Sequence, residues 1–429
     1  MPYTNISGNL IIMKINFLRV ASLSFFISIS FANATLTITP ENTDTVIKLN
    51  GFVNSGYHGQ RGDYVDWKNM YRRQEAKENL DYELNTPLAT PVSIATARKT
   101  YQRILDTSPY WEERKTSLSD IYLRVNIGLE QKISEQYTAF AFYERDLRTE
   151  NNSDNVRDAY AGINSPWGGV RFGRDESALT YVRDLIYSPE EKDGYEYQSF
   201  IEPLSVSGRK DNSMIYSFVR DSYAIDVGYV FDNEDNFYNE SGYSASAKYI
   251  VIDGLTLAMG YSGGKITADK KGNITPPDLT VHGFSSYDIS QVFDGAIYNQ
   301  AYDITQKQIN IGLGYEIDSL KVGATWFKND NELNVKGDSA TYVANSTSLD
   351  YTIKGWQASA KYNVTHNFEL STIYTRADND LNDFVLLNAL SFGTKYHFTP
   401  QFLLYANIGA NNSDASHSTF TNTGLRFHF

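Results

Sequence analysis

The sequence predicts an all-β chain closed into a transmembrane antiparallel β-barrel of about sixteen strands, with short periplasmic turns and long extracellular loops. Three observations predict it. Polarity alternates with a period of two along most of the chain, the connections are alternately short and long, and aromatic residues are abundant in a chain of negative mean hydropathy.

The 429 residues include 32 tyrosines and 23 phenylalanines, with no cysteine and 41% hydrophobic residues. A soluble core of this size draws mainly on Leu, Ile and Val. Here aromatics and polar residues are interleaved throughout, which suits a wall between lipid and water. The formal charge of −13, without a Lys/Arg-dense stripe, argues against a nucleic-acid partner, because a polyanion needs a basic face to release its counterions. The lack of cysteine excludes disulfide frameworks, thiol nucleophiles and cysteine-ligated metals.

Near the start, Lys14 and Arg19 precede an apolar run over residues 20–31 and then Ala32-Asn33-Ala34, a small-x-small cleavage pattern. The pattern predicts an export signal over 1–34, with Met13 a second candidate initiator, and a mature barrel over 35–429. The run is too short to cross a bilayer as a helix, which takes about 20 residues. No later stretch is long and apolar enough either, so membrane residence falls to strands.

Strands are expected to start near Val46, Leu118, Tyr137, Val156, Val170, Asn212, Ser222, Gly242, Leu255, Gln306, Leu320, Leu349, Phe368, Leu387, Phe402 and Ser418. The alternation is plain in Leu255, Leu257, Met259 and Tyr261 against Thr256, Ala258, Gly260 and Ser262, and in Ile309, Ile311, Leu313 and Tyr315 against Gln308, Asn310, Gly312 and Gly314. The polar set is too small and wet to pack a dry core, so the apolar set faces lipid and the polar set a watery lumen. Closure is then required, since an open edge in hydrocarbon leaves N–H and C=O groups unmet. Short connections at 134–136, 219–222, 252–254, 318–319, 365–367 and 399–401 fall on one side. Longer, charged ones at about 58–117, 175–211, 264–305 and 328–350 fall on the other. Within the first, residues 67–77 and 96–105 could hold short helices, but the segment is too polar to bury a core and reads as a lid or flap.

Three stretches carry a family resemblance. Residues 121–130, with Arg124 inside Tyr122-Leu123-Arg124-Val125-Asn126, are similar to a second barrel strand with an inward arginine. Residues 155–163 and 167–175, including Val156-Arg157-Asp158-Ala159-Tyr160 and Val170-Arg171-Phe172-Gly173-Arg174, look like a fourth and fifth strand. Residues 207–217, with Arg209, resemble a return from loop to strand, and Phe429 supplies an aromatic terminus. Together these resemble the general bacterial porins, trimeric sixteen-stranded diffusion channels of the Gram-negative outer membrane. The long first connection departs from that family.

The resemblance implies passive diffusion of ions and small hydrophilic solutes, a homotrimer in contact with outer-membrane lipid and lipopolysaccharide, and recognition of Phe429 by the barrel-assembly machinery. It also implies a third loop folded into the pore. Arg124, Arg157 and Arg171 share the parity of small or polar residues on their strands and are expected to face the lumen with Arg209, and Arg174 is a further candidate for this basic wall. On the family's loop path, Glu190, Glu191 and Asp193 would stand opposite, with Tyr187 and Tyr195 narrowing the opening. The loop's Tyr187-Ser188-Pro189-Glu190-Glu191 matches the family's acidic segment loosely. Glu144 shares parity with Phe140 and Phe142, and only the resemblance places it inward. Two other readings stay open for the arginines, pairing with wall carboxylates such as Asp120 or Glu144, and lipid phosphates at the rim. The acidic loop residues also fit an ordinary solvated loop.

Tyr229, Phe231, Tyr249, Tyr261, Tyr315, Trp326, Tyr362, Phe398, Phe402, Phe427 and Phe429 lie near strand ends and suit interfacial girdles. A sugar-specific channel, for example for chito-oligosaccharides, is the alternative function, and it would need a line of lumenal aromatics that the sequence does not suggest. The six histidines, His58, His282, His366, His397, His417 and His428, show no metal-ligand spacing and no Ser-His-acid motif. No enzyme activity, metal or cofactor is therefore expected. Acidic loops favour cations, and the wall arginines oppose them.

Overall fold

The computed structural model of the chain describes residues 25–30, 35–40, 43–65, 67–107, 111–148, 154–187, 209–231, 238–268, 301–336, 347–380, 384–414 and 416–429. Strands β1 (Phe25–Ser30) and β2 (Thr35–Pro40) form an antiparallel hairpin. The barrel follows as β3 (Thr45–Val65), β4 (Trp111–Lys132), β5 (Thr138–Arg148), β6 (Asp154–Ser165), β7 (Gly168–Glu176), β8 (Arg209–Val219), β9 (Tyr223–Val230), β10 (Tyr238–Ile252) and β11 (Leu255–Ala268). It continues as β12 (Ala301–Ile317), β13 (Leu320–Lys336), β14 (Thr347–Thr365), β15 (Phe368–Asn379), β16 (Phe384–Thr399), β17 (Phe402–Asn412) and β18 (Ser416–His428).

From β3 onward each strand pairs antiparallel with the next, and β18 returns to β3 with Ser416 opposite Tyr64 and His428 opposite Phe52, closing a barrel of sixteen described strands. The seam is completed by Gly51 and Phe429, which exchange backbone N–H···O bonds of 3.0 Å each. Below it, residues 36–38 of β2 pair with 47–49 of β3. Closure leaves no row of unpaired backbone groups facing hydrocarbon.

Strand starts follow the alternation closely, with one large difference at β4, which begins at Trp111 instead of Leu118. Glu113, Arg114 and Lys115 obscure the period there because both faces meet water, yet the ladder runs on to Val65 opposite Trp111. The first long connection is correspondingly shorter, 66–110, and holds two helices, α1 (Trp67–Asn85) and α2 (Pro91–Thr107). Thr90 and Ser93 cap α2 reciprocally: the Ser93 N–H donates to Thr90 Oγ1 at 3.1 Å and the Thr90 N–H to Ser93 Oγ at 3.0 Å, with Pro91 at the first helical position. No described residue of α2 is buried, and in α1 Ala76 is buried while Arg73 donates to the Leu105 carbonyl of α2 at 2.8 Å, so the two helices meet through a small contact.

Burial shows the inside-out pattern. Outward Met259 is 59% exposed and Ile408 57%, while inward Asn310 and Gln357 are 0% exposed. The inward polar groups bond to one another across strands, as in Gln306 to Asn331 at 2.7 Å and Gln357 to Thr375 at 3.0 Å. Turns on the short side are tight. Asp253 and Gly254 alone join β10 to β11, and Gly254 has φ +80, where a Cβ would lie 2.1 Å from the Glu316 carbonyl oxygen.

Candidate functional site

On β4, Tyr122, Arg124 and Asn126 point inward, opposite Arg148, Asp146 and Glu144 of β5. Arg124 grips Asp146 with both arms of its fork, Nε to Oδ1 at 2.7 Å and Nη2 to Oδ2 at 3.1 Å. Arg157 donates to Glu144 at 2.9 Å and Asp146 at 3.2 Å. Arg209 donates to Asp158 at 2.9 Å and also meets Glu176, which Arg183 contacts from the other side. Arg171 pairs with Asp175 and donates to Ser217 Oγ at 2.7 Å. Guanidinium and carboxylate groups therefore alternate along the inner wall of β4 to β8. Side chains here are mostly covered, Arg124 being 17% exposed and Asp146 4%, so removing one partner would strand the other in a poorly solvated place.

Straight alternation does not put Arg157 inward. The inward residues of β6 are Asp158, Tyr160 and Gly162, opposite Glu144, Phe142 and Phe140, while Ile163 faces out at 49% exposure. Arg157 reaches the lumenal carboxylates because the register slips there, with Glu144 opposite Asp158 but Arg145 opposite Val156. Arg174 does not join the row. It lies opposite Ala159, on the parity of outward Phe172, and its Nη1 is 3.2 Å from Asp211.

After Glu176 the chain turns into the barrel. A short helical turn, α3 (Thr180–Arg183), lies in segment 177–187, which crosses the inner face from β9 to β14. The Tyr181 hydroxyl donates to Asp226 at 2.9 Å, the Ala178 N–H donates to Ser244 Oγ at 3.2 Å, and Ser246 donates to the Ala178 carbonyl. Val182 and Leu185 pack over Ala258 and Gly312. At the far end, the Tyr187 N–H donates to Ser359 Oγ at 2.9 Å and its hydroxyl to Glu316 at 3.0 Å. Burial, with Glu316 as acceptor, pushes the Tyr187 phenol up to about 12. Gly323 is required by closeness, since a Cβ there would sit 1.7 Å from the Leu185 carbonyl oxygen.

Tyr187 and Glu144 thus lie at the inner surface. Glu190, Glu191, Asp193 and Tyr195 fall outside the described residues. The sequence reading missed the carboxylates Asp146, Asp158, Asp175, Glu176 and Asp226; the two-residue step from Glu144 to Asp146 was the available signal. It also expected no lumenal line of aromatics, and this is corrected. Phe52, Tyr122, Phe142 and Tyr160 run across β3 to β6 on the inward parity. Phe142 stacks on Tyr160 at 5.4 Å and Phe52 meets Tyr122 edge-on at 5.3 Å. The rings carry guanidinium groups, with Arg124 5.2 Å from the Phe52 centroid and Arg171 5.7 Å from that of Tyr160.

The family model described as Gram-negative porin matches residues 111–416. Porin-like protein L of Photobacterium profundum is 26% identical over 296 residues, covering 66% of this chain and 80% of that protein. Outer membrane protein U of Vibrio vulnificus is 30% identical over 156 residues, covering 33% of this chain and 45% of its own length. Among solved structures, the anion-selective porin from Comamonas acidovorans superposes with a TM-score of 0.55 at 12% identity, over 90% of this chain and 100% of that one. The trimer form of OmpT from Vibrio cholerae gives 0.55 at 14% identity, over 90% and 99%. At these identities the structural likeness speaks for the fold.

Proposed function

The chain belongs to the Gram-negative porin family, and we propose that its conduction path is shaped by the charged wall of β4 to β8 together with the inward segment 177–187. It is an outer-membrane channel for passive diffusion of ions and small hydrophilic solutes. The finer reading rests on one observation, the interleaving of Arg124, Arg157, Arg171, Arg209 and Arg183 with Glu144, Asp146, Asp158, Asp175 and Glu176. Such a wall has strong local fields that orient dipolar solutes, while its charges cancel and leave no standing excess for anions. The net charge of −13 favours cations. Glu190, Glu191, Asp193 and Tyr195 are proposed to complete the constriction beside Tyr187.

We also propose a homotrimer embedded in lipid and lipopolysaccharide, and removal of residues 1–34 on export, so that mass spectrometry of the mature protein finds Thr35 at its N-terminus. Planar-bilayer recording tests the functional reading. Large ohmic steps, a reversal potential on the cation side and indifference to chito-oligosaccharides are expected. Anion preference would overturn the charge reading, and sugar-dependent block would overturn general diffusion.

A further inference from the structure

We infer that Arg174 is a positioning residue that turns Arg157 into the lumen. The inference rests on the reading of Arg157 as a pore-wall charge. By parity with Ala159 and Ile163, an unbroken β6 would aim Arg157 outward, toward lipid or a neighbouring subunit. The structure avoids this with an extra residue: Glu144 faces Asp158, Arg145 faces Val156, and Arg157 has no opposite number on β5. A bulge of this kind re-aims a side chain but disrupts the ladder, leaving backbone groups to be satisfied some other way.

Arg174 satisfies them. The ladder between β6 and β7 ends at the pair Ala159 and Arg174, so β7 offers no backbone donor farther along. The Nε–H of Arg174 reaches back instead and is shared by the carbonyls of Val156 at 2.9 Å and Arg157 at 3.1 Å. Its other arm is steadied by Asp211, 3.2 Å away. The strand is shaped to permit this. Gly173, at φ +135, precedes Arg174, and the register with β8 slips between Gly173 and Asp175. Carbonyls left unmet within a barrel wall are costly, and a guanidinium offers a donor that is always charged. The chain of support runs from Asp211 through Arg174 to the bulge, and from the bulge to the contacts of Arg157 with Glu144 and Asp146.

The absence of native cysteine gives a direct test, because R157C places a single thiol at the bulge. In planar bilayers, a small water-soluble cationic thiosulfonate should modify R157C through the lumen, seen as a step in current. In R157C/R174A the modification rate should fall by about tenfold, equivalent to about 1.4 kcal/mol in the bulge equilibrium, and R174K or R174Q, each able to donate to one carbonyl, should recover part of it. R174A alone should shift the reversal potential toward cations as R157A does, with R157A/R174A shifting it no further. Equal modification rates with and without Arg174, or additive shifts, would overturn the inference and leave the pore reading intact. An unreactive R157C in the presence of Arg174 would instead sink the pore reading itself. Barrel assembly is checked by the mobility of unheated samples on gels, and should R174A not assemble, R174M, which keeps the bulk of the side chain but has no N–H donor, takes its place: a modification rate in R157C/R174M equal to that in R157C overturns the inference equally.

Discussion

The inner wall is built in two dissimilar halves. Along β4 to β8 it is made of long charged and aromatic side chains, and its guanidinium and carboxylate groups are tied to one another. Along β9 to β14 small residues, Ser244, Ser246, Ala258, Gly312 and Gly323, sit among the amides, and what they hold is the chain itself, segment 177–187. The same sequence signal, a small or polar residue at every second position, therefore serves two purposes. In one half it leaves room for water and charge, and in the other it leaves room for a loop. A glycine facing the bore can mark the seat of a plug as readily as a pore surface.

The largest effect is expected from spoiling that seat. Gly323→Leu drives a side chain into the Leu185 carbonyl, where overpacking costs about 1–3 kcal/mol. The inward segment should lift from β12 and β13, and single-channel conductance should rise or become strongly noisy. A quiet, unchanged channel would show that the seat is not what holds the segment.

Next comes the charged half. Replacing Arg124 and Arg157 together by Ala strips Asp146 and Glu144 of these partners, so the cation-to-anion permeability ratio should rise several-fold and the solute size limit should widen. Unchanged values for both would move the selectivity determinant elsewhere. Tyr187→Phe is milder. It removes one hydrogen bond to Glu316, worth about 1 kcal/mol, and should add flicker to the open current while sparing selectivity.

The smallest effect is that of pH on the same latch. The Tyr187 phenol is pushed up to about 12 from an ordinary 10, which means that the folded state favours its neutral form. Its contribution is full below 10 and lost as pH rises through about 12. Wild-type flicker should stay flat from neutral pH to 10 and grow above it, whereas Tyr187→Phe should show no such growth. Flicker that rises before pH 10 would assign the latch to another group.

Much of the barrel was legible because its causes are local. Leu257, Met259 and Tyr261 declare their face through their own neighbours, and Asp253-Gly254 declares its turn by itself. The wall arginines were partly legible for the same reason, Arg124 through Tyr122 and Asn126. Arg157 was placed inward on a parity that the strand does not keep, and Arg174 was grouped with it although it supports the wall from outside.

The amino-acid order alone determined a barrel with an apolar exterior and polar interior, its strand number and the sides on which turns and loops fall, because period-two patterning and turn chemistry act over a few residues. Only the tertiary structure decided which carboxylate meets which guanidinium, where β6 bulges, and that the small inward residues of β9 to β14 cradle the chain. Those outcomes depend on register between strands far apart in sequence, and one residue of slip exchanges the two faces.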